Sequence, residues 1–243
     1  SCDNMDSGDI PASAYINFFD NHGLLDLFDR PNWYTIAGGS QEYINTFKSQ
    51  FKGYVVTDQE IINVQEIDQK VTVKCADNST QVFDKVIMAT HADTTLQIVT
   101  SLPDDKSSIL KSHRYTHNNV FLHTDVNFMP DEQEVWACWN AISYLSSDDI
   151  TKTYVSYYSN RLQNLNTNTH FFITLNPPSL PNDKCILHET TYSHPVLVKA
   201  WNDNNDDFYN LNQNGDILFC GAYLGYGFHE DGFRSGKLVA DIL

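Results

Sequence analysis

The residues whose types and spacing suit chemistry lie at the end of the chain, from Asp216 to Leu243, in the run DILFCGAYLGYGFHEDGFRSGKLVADIL. An apolar strand, Ile217 to Cys220, runs into Gly221. A glycine- and tyrosine-rich loop follows, then Glu230-Asp231-Gly232 and a helix of the type GFRSGKLVADIL. A strand, a loop and a helix N-terminus bring free backbone N–H groups and the positive end of a helix dipole together, which favours a negative or electron-rich ligand group. Gly232, Ser235, Gly236 and Ala240 lie along one helical side and would let something flat come close. The same run also reads as a closing β-α unit with flexible glycines.

Other chemistries find less support. His113 and His117 stand four apart with His123 further along, but no Glu lies between them as in HExxH, and no cysteines stand at metal spacing. No metal is expected, and the histidines read as surface or hydrogen-bonded groups. No GxSxG follows a strand, so Ser-His-Asp hydrolysis has no nucleophile elbow. The sole Gly-Lys pair, Gly236-Lys237, sits in the final helix and makes no Walker loop. No GxGxxG follows an early strand, so these residues alone do not build a complete dinucleotide-binding domain. Trp136, Trp139, Tyr144, Tyr154, Tyr157 and Tyr158 suit packing in a sheet. Tyr223 and Tyr226 differ, because they sit in the glycine loop ahead of the helix.

Elements to position such a site follow from periodicity. Residues 12–28 carry apolar side chains at helical spacing, giving a helix to about Asp20, a turn, and a short apolar helix ended by Arg30-Pro31. Trp33 to Ile36 reads as extended, and Gly38-Gly39-Ser40 opens a helix from Gln41 to Ser49 with Ser40 as N-cap. Tyr54 to Thr90 is β throughout, with a hairpin at Asp77-Asn78 and a run, Val86 to Thr90, that suits a strand buried on both faces. His91-Ala92-Asp93 then opens a helix through Val99. Residues 114–194 hold about five strands at antiparallel spacing, and Val198 to Asn212 reads as a helix. The class is mixed α/β.

Bulk properties narrow the partners. A formal charge of −16 argues against nucleic acid and against an anionic membrane surface. No apolar run reaches the roughly 18–20 residues of a membrane span, so no integral membrane segment is expected. The first residues, SCDNMDSGDIPASAY, lack the basic and apolar regions of a signal peptide, and a start at Ser1 suggests a fragment. Five dispersed cysteines read as reduced thiols in a cytoplasmic protein.

Three stretches in order resemble the flavin-containing amine oxidoreductase superfamily: IAGGSQEYINTF (36–47), FDKVIMATHADTTLQIV (83–99) and ILFCGAYLGYGFHEDGFRSGKLVADIL (217–243). FFDNHGLL, RPNWYTIAGGS, ATHAD, FITLNPP, TYSHPV and FCGAYLGYGFHEDGFRSG resemble one branch more closely, the amine-oxidase-like flavoproteins associated with cyclopropane fatty-acid synthases. The resemblance implies the C-terminal portion of such a protein. It assigns 38–100 and 214–243 to an FAD-binding domain, and 1–37 and 101–213 to a substrate domain with an antiparallel sheet. It implies FAD as cofactor, held in part by Gly221, Ala222, Tyr223, Glu230, Asp231, Gly232 and Phe233, with Ile61 toward the adenine. The implied reaction is hydride removal from a small-molecule substrate onto flavin. Many relatives place a Lys beside the flavin; the matching stretch here, THNNVFLHTD, has none, which turns the expectation from amines toward a lipid-like substrate. The alternative is a non-catalytic remnant that does not hold FAD.

Overall fold

The first apolar stretch forms helix α1 (Ala12–Asn21). Gly23, at φ +60, ends it in the left-handed conformation, with its N–H donating to the Asp20 carbonyl (2.9 Å) and the Leu24 N–H to that of Phe19 (2.8 Å). The short second helix expected over 24–28 does not form. The five residues 24–28 that follow the left-handed glycine are too few to offset helix nucleation. The computed structural model describes residues 12–28, 31–196 and 206–243. The expected Val198–Asn212 helix lies partly outside these; its described part is helical over 206–212.

Helix α2 (Gln41–Gln50) follows the Gly38-Gly39 turn, as the sequence indicates, yet buries none of its residues. Residues 54–60 are not a strand, against expectation. Tyr54 is 98% exposed and Val56 70%; β-propensity alone does not hold a strand without a neighbour to complete its ladder. The β pattern is realised from residue 61. β1 (Ile61–Ile67), β2 (Lys70–Cys75) and β3 (Thr80–Phe83) form an antiparallel meander. Asp68 and Gln69, both at positive φ, make the two-residue turn between β1 and β2. At the second turn, the Asp77 carboxylate accepts from the Ser79 N–H (2.8 Å), and Asn78 takes the left-handed position (φ +67).

β4 (Val86–Met88) pairs in parallel with β10 (Ile217–Phe219), in register Val86↔Ile217, Ile87↔Leu218 and Met88↔Phe219. All three residues of β10 are buried, whereas in β4 only Met88 is. Ile87 is 43% exposed, so burial of this run on both faces is not realised. Its only strand neighbour among the described residues is β10. Helices α3 (Ala92–Ile98), α4 (Asp104–Ser112), α6 (Asp206–Asn212) and α7 (His229–Asp241) belong to the same compact unit, whose described residues are 12–28, 31, 43–115 and 206–243. Its core includes Val64, Val71, Leu110, Leu211, Phe219 and Val239.

The other unit comprises described residues 32–42 and 116–196. It carries a five-stranded sheet, ordered β6-β7-β8-β5-β9, from β5 (Arg114–His123), β6 (Trp139–Leu145), β7 (Thr151–Tyr158), β8 (Phe172–Leu175) and β9 (Ile186–Val196). The one-turn helix α5 (Ser159–Leu162) follows β7. The five strands fall where alternation places them, and the pairs β6–β7, β7–β8 and β8–β5 are antiparallel. Trp136 and Phe172 are buried here, meeting edge to face at 5.5 Å.

A buried polar row crosses this sheet. His123 Nδ1 accepts the Asp125 N–H (3.1 Å), which leaves the proton on Nε2 to donate to Thr174 Oγ1 (2.7 Å); Thr174 and Ser156 hydroxyls then meet at 2.5 Å. Burial lowers the His123 pKa, against the opposing charge of Asp125. The native state therefore favours neutral His123, and below the ordinary value of about 6.5 the unfolded chain binds more protons. Stability from this site is present above that pH and declines as the pH falls toward the depressed native value, by at most about 1.4 kcal/mol per unit. Urea denaturation of wild type and His123→Gln between pH 7.5 and 5 checks this: the wild type should lose stability faster, and parallel slopes would refute it.

Candidate cofactor site

In open parallel sheets, ligands bind outside the carboxyl ends of the strands. The carboxyl ends of β4 and β10 lie side by side, joined by the Cys220 N–H donating to the Met88 carbonyl (3.0 Å). β4 leads into Thr90-His91-Ala92 and β10 into Gly221-Ala222. The His91 carbonyl accepts from Thr95 N (2.9 Å) and Thr95 Oγ1 (3.0 Å), and the Thr90 and Thr95 hydroxyls meet at 2.8 Å. The exposed His91 ring lies flat on Tyr115, at 4.5 Å and 18°. Tyr115 Oη in turn accepts the Ala92 N–H (3.1 Å), and burial raises the Tyr115 pKa.

The terminal loop is held mainly by Asp231. Helix α7 begins at His229, so Glu230, Asp231 and Gly232 form its first turn rather than a turn before it. The physical reason is the Asp231 carboxylate, which accepts from the N–H of the N-cap residue Phe228 and from that of Tyr226 (both 3.0 Å). Its second oxygen receives Arg234 (2.8 Å). Asp231 therefore faces the loop, and its own N–H is bonded to the Phe228 carbonyl (3.1 Å).

Ser235 ties α7 to the strand. Its hydroxyl accepts the Gly221 N–H (3.0 Å) and donates to the Gly232 carbonyl (2.9 Å). The small residues thus divide between two helical faces, contrary to the single stripe expected. Asp231, Ser235 and Val239 point inward and are buried; Gly232 and Gly236 are half-buried and Ala240 is exposed. A Cβ added at Gly236 would meet nothing within 4 Å, and one at Gly232 would meet only Ala222, at 3.7 Å or beyond.

Of the other sequence-derived residues, Gly221 and Ala222 are half-buried at the end of β10, and Glu230 and Phe233 are exposed on α7. Ile61 is 43% exposed at the start of β1. Tyr223 is buried in the one-turn 3-10 helix 222–224, edge-on to the His113 ring at 5.0 Å. Its hydroxyl has no hydrogen-bond partner, and burial pushes its pKa upward. A Cβ at Gly221 would approach the Tyr223 ring to 2.6 Å, so glycine is needed for that close pass. Sequence reading missed Tyr115, whose aromatic character alone carries no signal, and Asn17, whose amide donates to Tyr226 Oη (2.6 Å) while Phe18 stacks on Phe228 at 6.0 Å.

A separate cleft of about 470 Å³ opens at the amino end of β10, lined among others by Glu66, Asp68, Asp105, Lys106 and Asn214. Lys106 is buried there, donates to the Asn214 carbonyl (2.8 Å) and lies 5.5 Å over the Phe219 ring. It joins α4 to the loop before β10. Ile217 and Phe219 of β10 also line it, but none of Thr90, His91, Gly221, Ala222 or the α7 residues does.

The family described as flavin-containing amine oxidoreductase matches residues 9–172, which leaves the terminal motif outside the matched stretch. Among solved structures, the chain is similar to a putative protoporphyrinogen oxidase from Exiguobacterium sp. 255-15, at 11% identity and TM-score 0.61, over 95% of this chain and 57% of that one. It is also similar to a CLA-producing fatty acid isomerase from P. acnes, at 12% identity and TM-score 0.56, over 86% of this chain and 53% of that one. The chain therefore spans little more than half the length of either protein, and at such identities the likeness is one of fold. No curated protein is matched significantly. Among the described residues no helix is long and apolar enough to cross a membrane. With two-thirds of its residues inside the matched stretch, the chain belongs to the flavin-containing amine oxidoreductase family.

Proposed function

We propose that this chain is the C-terminal portion of an FAD-dependent oxidoreductase that removes hydride from a small, lipid-like substrate. The observation that carries the reading is the parallel pair β4–β10, whose carboxyl ends present Gly221, the glycine loop and the first turn of α7 together. The bound flavin supplies a two-electron acceptor for hydride leaving a C–N, C–C or C–O bond.

The residues fit such a group. Gly232 and Gly236 each disfavour the helix by about 0.8–1.0 kcal/mol relative to alanine, and no neighbour in the chain crowds either position. An occupant outside the chain accounts for both. The buried Tyr223 hydroxyl lacks an acceptor, a cost that a ligand oxygen or a bound water would remove. The positive end of the α7 dipole would favour negative charge on a reduced flavin, while Ala222, Tyr223 and Phe233 would contribute surface and Glu230 a polar edge. Asp231 would act by holding the loop, and Ile61 would lie toward the adenine.

The flavin-domain assignment to 38–100 and 214–243 has support in one respect: except for 38–42, these stretches share one compact unit. That 101–213 forms a substrate domain is supported by the five-stranded sheet, which begins at Arg114 and ends at Val196, whereas 101–115 and 206–213 share the compact unit of the flavin-assigned stretches. The one-sided pairing of β4 and the exposure of Ile87 support a missing neighbour, as expected of a fragment. A cytoplasmic location is supported by the free thiols of Cys75, Cys138, Cys185 and Cys220.

The test is cofactor uptake by the protein expressed from its complete reading frame. It should purify yellow, release FAD on denaturation, and be bleached by dithionite. A colourless protein with a cooperative melt unaffected by added FAD would favour the non-catalytic remnant instead.

A further inference from the structure

We propose that His91, clamped against Tyr115, is a stacking platform for a planar ring of the bound flavin dinucleotide. This rests on the flavin reading above but adds a contact which that reading does not contain.

The ring rests on one aromatic face, and both that face and the His91 backbone are anchored. Its lower face is covered by Tyr115 at 4.5 Å and 18°, which is stacking rather than edge contact. Tyr115 is itself fixed, because its Oη accepts the N–H of the fully buried Ala92 (3.1 Å). The His91 backbone is fixed by Thr95, whose N–H and hydroxyl both donate to the His91 carbonyl (2.9 and 3.0 Å). Thr95 is 0% exposed, so this anchor belongs to the interior.

Above that rigid base His91 is exposed. An aromatic ring ordered on one face and open on the other offers a planar ligand a surface whose ordering cost is already met. Its position is also informative. Register pairs Met88 with Phe219, the last residues of the two strands; His91 follows three residues after the first, and Gly221 and Ala222 two and three after the second. The open glycine face of α7 belongs to the same compact unit.

FAD carries two planar rings, adenine and isoalloxazine, and either would suit the platform. The experiment uses the protein from its complete reading frame, stripped of flavin, with FAD, ADP and FMN as separate probes. Dissociation constants are measured for wild type, His91→Ala, His91→Phe and Tyr115→Leu, alongside the melting temperature of each flavin-free protein. Loss of one stacked ring should weaken FAD by roughly tenfold in His91→Ala. His91→Phe should stay within about twofold of wild type, because stacking survives without the ring nitrogens. The melting temperature of His91→Ala should hardly move, since the ring is exposed.

The probe that weakens in parallel identifies the ring: ADP for adenine, FMN for isoalloxazine. Equal weakening by His91→Phe and His91→Ala would replace stacking with a hydrogen bond and overturn the platform. Unchanged FAD affinity in His91→Ala would overturn it too. Failure of the wild type to bind FAD at all would sink the flavin reading, and the platform with it. Tyr115→Leu separates base from platform: it should weaken FAD about as much as His91→Ala, and wild-type affinity would show that the clamp is irrelevant.

Discussion

Gly225→Ala is expected to cost about 3 kcal/mol of stability, and to do so through Asp231. A Cβ at Gly225 would overlap the Asp231 carboxyl group. The carboxylate must then leave the N–H groups of Tyr226 and Phe228, which it holds at 3.0 Å each. Hydrogen bonds to a charged acceptor contribute roughly 1.5–3 kcal/mol each. Asp231→Ala deletes the same two bonds directly and should cost about as much. Because both substitutions remove one set of contacts, the double variant should cost about 3 kcal/mol rather than 6, a coupling of about 3 kcal/mol in a double-mutant cycle. Urea denaturation gives the cycle, and hydrogen exchange should show lost protection at Tyr226 and Phe228. Additive losses would mean that Gly225 acts elsewhere.

Gly232→Ala should separate fold from function in opposite directions. The added methyl meets Ala222 at ordinary contact distance, 3.7–3.8 Å, so the flavin-free protein accommodates it. Replacing glycine inside a helix by alanine should then raise stability by about 0.5–1 kcal/mol. If the open face of α7 receives the flavin, the same methyl intrudes on it, and FAD affinity should fall by at least about tenfold, or 1.4 kcal/mol. Gly236→Ala lies one turn further along the same face and should weaken FAD less, because the dipole field and free N–H groups fade beyond the first turn. Thermal melts and flavin titration of the two variants decide the matter. A Gly232→Ala protein that is more stable and binds FAD as wild type would show that the face is open for another reason.

The single stripe of small residues inferred from the sequence shows where reading from types alone stops. Gly232, Ser235, Gly236 and Ala240 are small, and helical geometry puts them near one another. Yet Ser235 turns inward to bind Gly221, in line with Asp231 and Val239, while the glycines and the exposed Ala240 lie off that buried face. The distinction depends on the strand that α7 packs against, which the helix sequence does not contain. His91 is similar. The motif ATHAD was visible, but its ring acquires a position only from Tyr115, contributed by the start of β5.

Residues 54–60 illustrate the opposite error. Their β-prone side chains suggested a strand, but a strand is completed by its neighbour, and the described residues supply none there. The 61–83 meander and the five strands of the larger sheet were legible because each combines alternation with turn residues such as Asp77-Asn78. Both signals are local, so they survive without knowledge of partners.

By itself, then, the sequence determined the mixed α/β class, the hairpins, the sheet-forming segments and the terminal strand–loop–helix, because periodicity, glycine conformations and turn chemistry act over a few residues. Only tertiary structure decided that β4 pairs with β10, a contact reinforced by an ion pair between Lys85 and Asp216, 131 residues apart in the chain. It also decided that α7 starts at His229, that Asp231 serves the loop, and that Ser235 joins helix to strand. Such choices follow from which surfaces meet across the fold. The terminal run offers glycines and a helix N-terminus; packing decides which of them remain open to a ligand.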